Sequence, residues 1–338
     1  MNFKNYLILA LFAIYAIASC KKHENPGPVK SQGSSDTVAA KNVDVYLIGE
    51  VIYPLGAAYW KNGKITKLTS DEQKSTVSAI TIKDTDVYIT GTIINNGVRV
   101  AVYWKNGIIN QLAENGSSTT SITVNGSDVY VIGYLTDVQN KSNAVCWKNG
   151  VASVLPGGTS TAIPSGIAVS GNDVYISGST TIDILTGNYV PVYWKNGVLN
   201  NLTSGSLSAE TTGIAIKGSD VFITGNIASV GGVYWKNGIL TYLTGISANA
   251  IALNGNDIYI AGADDFYLDN FDAAYWKNGV ITKLGNGNPT GIAVNGKDVY
   301  ETAIAPIPND GGYWKNGIVD PEFQGTQFPI YGIALRPH

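Results

Sequence analysis

Every tryptophan in the chain falls in one phrase, (Tyr/Cys)-Trp-Lys-Asn-Gly, and the phrase occurs seven times, at Trp60, Trp104, Trp147, Trp194, Trp235, Trp276 and Trp314. The mean spacing is about 42 residues, a period at which repeated units stack on one another and none buries its apolar face alone. A second phrase, Asp-(Val/Ile)-(Tyr/Phe), precedes each one, at Asp44, Asp86, Asp128, Asp173, Asp220, Asp257 and Asp298. Just before that stands an Ile-Ala-Val-like triplet, as in Ile167-Ala168-Val169, Ile214-Ala215-Ile216 and Ile292-Ala293-Val294.

Each unit reads as four strands. Strand a is the triplet. A turn such as Asn125-Gly126-Ser127-Asp128 leads into strand b, Val129 to Gly133. Strand c ends at the Trp, and Lys-Asn-Gly turns the chain into strand d, as in Ile108 to Leu112. Asn and Gly supply the positive φ that tight hairpins need. Lys-Asn-Gly fits a three-residue connection, a type I turn closed by a glycine bulge. The motif aspartates read as caps of the a–b turns through backbone N–H groups.

Strands such as Val221-Phe222-Ile223 are apolar on both faces, so each sheet needs a neighbour on both sides. Blades around a ring provide that. The expected fold is therefore all-β, a seven-bladed β-propeller of four-stranded antiparallel blades. A parallel β-helix has shorter coils and lacks three hairpins per unit. Gly332-Ile333-Ala334-Leu335 is one more strand a with nothing after it to pair with, whereas the first unit starts at Asp44 behind a poor Val38-Ala39-Ala40. The carboxyl-terminal strand is thus expected to enter the first blade beside Val45 to Ile48.

The repeats resemble the HAF family of extracellular repeats. That family carries a Trp-x-x-Gly hairpin, a short strand ending in Leu, and a strand ending in Gly some residues later. Ala101-Val102-Tyr103-Trp104-Lys105-Asn106-Gly107 through Leu112, then Val131-Ile132-Gly133, show the pattern, and the resemblance covers residues 44–335. The family's His-Ala-Phe triplet is absent, with residues such as Ala-Val-Tyr in its place. The resemblance implies an extracellular architecture and no reaction, because function must be argued from a site.

The amino terminus reads as an address. Lys4 precedes an apolar run, Tyr6 to Ala16, and Ile17-Ala18-Ser19-Cys20 resembles a bacterial lipobox. The run is short for a membrane span, and small residues before a cleavage point mark a secretory signal. Residues 1–19 are expected to be a lipoprotein signal peptide, with Cys20 lipidated. Residues 20–41, rich in Lys, Gly, Pro and Ser, form a flexible tether, and residues 42–338 form the propeller. This predicts a monomer held at the bacterial cell envelope, at the outer membrane, facing the periplasm or the surface. The only other cysteine, Cys146, replaces the motif Tyr and reads as a buried filler. A net charge of −3 excludes the basic face of a nucleic-acid binder.

A candidate site follows from comparing units. Nine positions separate Gly225 from Tyr234, but fifteen separate Gly178 from Tyr193. The a–b and c–d turns hardly vary, so all variation falls on the b–c and d–a face, where function sits on a rigid scaffold. The constant face collects the seven motif lysines, from Lys61 to Lys315, as a rim around an inner ring of seven aspartates. The richest variable loops lie in the fourth and sixth units. Asp183 and Tyr189 belong to the first, and Asp264, Asp265, Phe266, Tyr267, Asp269, Phe271 and Asp272 to the second. The aromatics could stack on sugar rings. Asp264, Asp265, Asp269 and Asp272 are oxygen ligands of the kind that Ca²⁺ takes, although their spacing matches no EF-hand loop.

Catalysis is argued against by composition. The two histidines are His23 and His338, and the two arginines are Arg99 and Arg336, too few for a triad or an arginine cluster. The expectation is a non-enzymatic module without a cofactor, binding a glycan or a protein. A carboxylate-based glycoside hydrolase, using Asp183, Asp264, Asp265 or Asp272, or another carbohydrate-active enzyme, is the alternative.

Overall fold

The structure, a computed structural model, describes residues 43–52, 55–113, 115–138, 141–157, 161–181, 188–203, 208–267, 270–304, 312–320 and 329–338. The expected signal segment, Cys20, the expected tether, Asp183 and Asp269 lie outside the described residues.

The chain forms seven sheets of four antiparallel strands, arranged as a seven-bladed β-propeller. Blade 2 shows the pattern: strands a to d are Ser75–Lys83, Asp86–Asn95, Val98–Lys105 and Ile108–Gln111. Strand b of each blade packs against strand a of the next. The predicted closure is present. In blade 1 strand a is Ile330–Pro337, and it pairs antiparallel with strand b, Val43–Ile52, in the register Val45↔Leu335, Tyr46↔Ala334, Leu47↔Ile333 and Ile48↔Gly332.

Tryptophan sets the packing between blades. Six of the seven are essentially fully buried, and Trp60 nearly so. In blade 2 the Trp104 ring lies over Gly91 of strand b. A Cβ there would sit 3.0 Å from the ring and 2.0 Å from the Thr76 carbonyl oxygen of strand a. Close approach of two backbones and an indole therefore requires glycine at that place. Cys146, in the usual Tyr position, is buried among Tyr130, Ile132 and Leu155, and burial pushes its thiol up to about 11.

Hydroxyls stitch neighbouring blades where strand a bulges. The register shifts at Ser78, Thr120, Ser165, Thr212 and Thr290, each a residue freed from its ladder. Ser78 and Ser165 bond the hydroxyls of Thr119 and Thr211 in the next blade, at 3.0 and 2.8 Å. Thr212 donates to the Ala248 carbonyl at 2.7 Å, and Thr290 to that of Ile330 at 2.8 Å.

Candidate functional site

The constant face differs from the expected concentric rings. Lys-Asn-Gly is a two-residue turn: Lys105 pairs with Ile108, and Asn106 and Gly107 have φ of 51° and 81°. Two positive φ values are the signature of a type I′ hairpin, so there is no glycine bulge, and the Lys closes strand c. Its ammonium reaches the motif aspartate of the same blade. The seven pairs, Lys61–Asp44 through Lys315–Asp298, all fall between 2.8 and 3.0 Å.

The turn asparagine completes a clamp. Asn106 Nδ2 donates to Asp86 Oδ1 at 2.8 Å, and its Oδ1 accepts from the Val87 N–H at 2.9 Å. Lys105 also lies over the Tyr88 ring, 5.2 Å from its centroid. The same geometry recurs in every blade. The aspartates thus join the a–b turn to the c–d turn side chain to side chain, and they do not cap the a–b turn. Bonds from the lysine and asparagine hold these carboxyls below the usual range; for Asp86 the Lys105 bond is the larger cause, and for Asp173 the Asn196 bond. Neutralised in place, the lysines form no free cationic rim.

Blade 1 adds two latches at the seam. Burial alone would raise the Asp44 carboxyl, but Asn62, Lys61 and Arg336 outweigh it and hold it well below the carboxylate range. His338 Nε2 lies 3.4 Å away. At the other end the Tyr331 hydroxyl donates to Glu50 at 3.4 Å. Burial, then the Glu50 charge, pushes that phenol up to about 12.

The variable face carries a cleft of about 550 Å³ between blades 4 and 5, bounded also by Ile246 ahead of blade 6. Tyr189, predicted from the fourth unit's loop, opens strand c of blade 4 and is 37% exposed. Its backbone N–H donates to Ser208 Oγ at 3.1 Å. Opposite lie Glu210 and Asn226, paired in register on strands a and b of blade 5. Glu210 is exposed. Asn226 Oδ1 accepts the Ala248 N–H at 2.8 Å, leaving its amide nitrogen as the donor it can offer. Ile227 is buried beneath, and Val230 and Ile246 form an exposed apolar wall. Glu210, Asn226 and Ser229 escaped sequence reasoning because it followed the long loops. In the sequence blade 5 has the shortest b–c connection and blade 4, which contributes Tyr189 to the cleft, the longest.

The sixth unit's candidates form a different object. Its supposed loop is an extension of the hairpin: strand b runs Asp257–Tyr267 and strand c Asn270–Lys277, with Phe266 paired to Phe271. Asp264 and Asp265 fall in a bulge opposite Asp272. The Lys283 ammonium bonds Asp264 and is raised by that bond first, then by the charges of Asp264, Asp272 and Asp265. The side chains of Phe266 and Tyr267 lie outside the described residues. Among the described residues no group of three or more His, Cys, Asp or Glu converges to hold a metal ion. None of these acids lines the blade 4–5 cleft among the described residues.

No family model matches the chain, and no curated protein matches it. Among solved structures, one that aligns is a family 43 β-xylosidase/α-arabinofuranosidase from a compost microbial metagenome, in complex with xylotriose and in a calcium-free form. The identity is 9% over 55% of this chain and 84% of that one, with a TM-score of 0.35.

Proposed function

We propose that this propeller is the binding module of a cell-envelope lipoprotein, holding a glycan in the blade 4–5 cleft without transforming it. The observation that carries the reading is the cleft's inventory. The exposed Tyr189 ring offers an apolar face for a sugar's C–H surface, while Glu210, Asn226 and Ser229 offer convergent polar groups. An apolar concavity with a few placed polar groups is the usual form of a ligand site.

Glu210 is the one carboxylate in the described lining. Hydrolysis of a glycosidic bond by the common route needs two flanking carboxyls, which supports binding over catalysis. Lipidation at Cys20 would tie the module to the membrane, and the likeness to extracellular HAF repeats agrees with that placement.

The test is a glycan array probed with the full chain carrying Cys20→Ser, beside the same chain with Tyr189→Ala. Retention of a glycan by the first and its loss from the second is expected. No retained glycan, or equal retention by both, would overturn the reading. A protein captured at the same cleft would replace the glycan as ligand.

A further inference from the structure

Position by position, strand b of each blade places an aliphatic residue two places after the motif Val or Ile: Leu47, Ile89, Val131, Ile176, Ile223 and Ile260. Blade 7 places Glu301 there. It is 1% exposed, and neither carboxyl oxygen has a hydrogen-bond partner among the described residues. Its register partners are Ile292 on strand a and Trp314 on strand c. Ile292 packs with Tyr259 and Ala261 of blade 6, and Trp314 with Ala273 of blade 6. Glu301 is therefore inside the layer where blade 7 meets blade 6.

Among the described residues no charge on that layer answers it. Of the titratable groups on the blade 6 strands packed there, Tyr259 and Tyr275 belong to the apolar layer. Asp257 and Lys277 are spent on each other at the turn end and Asp264 on Lys283, while Asp265 and Asp272 lie in the bulged extension beyond Ala263 and Ala273, where their charges act on Lys283. Within blade 7, Asp298 and Lys315 are likewise paired, and Tyr300 and Tyr313 pack toward blade 1. The blade is also the thinnest described: strand c is Tyr313–Lys315 and strand d is Ile318–Val319, against eight and four residues in blade 2.

We infer that blade 7 is a proton-linked joint of the ring: it packs on blade 6 while Glu301 is protonated and loosens when Glu301 ionises. A buried carboxylate with no partner is too costly to keep, so ionisation and opening go together. Burial lifts the carboxyl well above its ordinary value. The closed state therefore binds the proton more tightly than the open one. Its advantage is full at acid pH and is lost as pH rises from the ordinary glutamate range through the raised folded value. Across that window the opening equilibrium grows about tenfold per pH unit.

The test is hydrogen exchange of the full chain from pH 5 to pH 9, corrected for the intrinsic rate. Opening of segments 292–304 and 313–319 should rise about tenfold per pH unit over part of that range, with blades 2 to 5 unchanged. Glu301→Leu, which restores the aliphatic pattern, should remove the rise and increase thermal stability. Should that variant misfold, Glu301→Gln still removes the proton and should flatten the profile. A flat profile in the wild type, or an equal rise in a folded variant, overturns the inference.

Discussion

Asp44 and Arg336 stand 292 positions apart in the chain and meet in an ion pair at the seam of the ring. Asp44 is the most sheltered of the motif aspartates, and among the described residues Arg336 gives it a second strong cation beside Lys61. Arg336→Ala should cost roughly 1–2 kcal/mol in thermal or urea unfolding, because Lys61 and Asn62 remain to satisfy the carboxylate. Deleting residues 330–338 should cost far more, since it strips the inner strand from blade 1 and opens an edge. Equal stability of the deletion and the parent would remove this strand as the lock.

The pH dependence at the acid end has the opposite sign to that of Glu301. Asp44 and its six counterparts have carboxyls held below their ordinary value. The stability they contribute is present above the unfolded carboxylate range and is lost as pH falls through the folded values. Melting temperature should therefore drop on acidification below about pH 4, and Asp44→Asn should make that drop shallower. A melting temperature indifferent to pH between 5 and 2 would contradict the clamps.

Gly91→Ala should destabilise blade 2 by about 3 kcal/mol or more, because the new methyl meets a backbone carbonyl that has nowhere to move. Ala303 holds the matching place in blade 7, so Ala303→Gly should cost no more than about 1 kcal/mol. Chemical denaturation of the two variants side by side checks the contrast.

Asn106→Ala removes the bond to the Val87 N–H and leaves alanine at a φ of 51°. A loss of roughly 1–2 kcal/mol is expected, whereas Asn106→Gly should recover part of it by relieving the backbone. Identical losses in the two variants would show that the backbone conformation does not matter there.

Cys146 should be silent toward thiol reagents. In a chain carrying Cys20→Ser, no thiol should react at pH 8 until denaturant is added, because the thiolate is disfavoured and the sulfur is buried. Rapid labelling of the folded protein would contradict its place in the core.

The fold was legible because the repeat exposes its own grammar. Seven copies of Trp-Lys-Asn-Gly and of Asp-Val-Tyr give the strands, the turns and, through the unpaired Gly332-Ile333-Ala334-Leu335, the closure. The clamp was hidden because it joins two turns some twenty residues apart, and nothing in either phrase says that they face each other. The cleft was half legible. Tyr189 lay in a loop long enough to draw notice, while Glu210 and Asn226 owe their position to a neighbouring turn that is short. The sixth unit read as a loop because acidic and aromatic residues look alike in a ligand loop and in a hairpin that continues its pairing past a bulge.

Closure by Ile330–Pro337 also imposes an order on synthesis. Strand b of blade 1 leaves the ribosome first and must wait, with its inner edge bare, until the last unit has been made. Gly166-Ile167-Ala168-Val169, Gly213-Ile214-Ala215-Ile216 and Gly291-Ile292-Ala293-Val294 all resemble the strand it awaits. A bare edge pairs with any strand of matching pattern, and a nascent neighbour carries several. Crowded translation should therefore yield chain-swapped dimers, in which one molecule's inner strand fills the vacant slot of another.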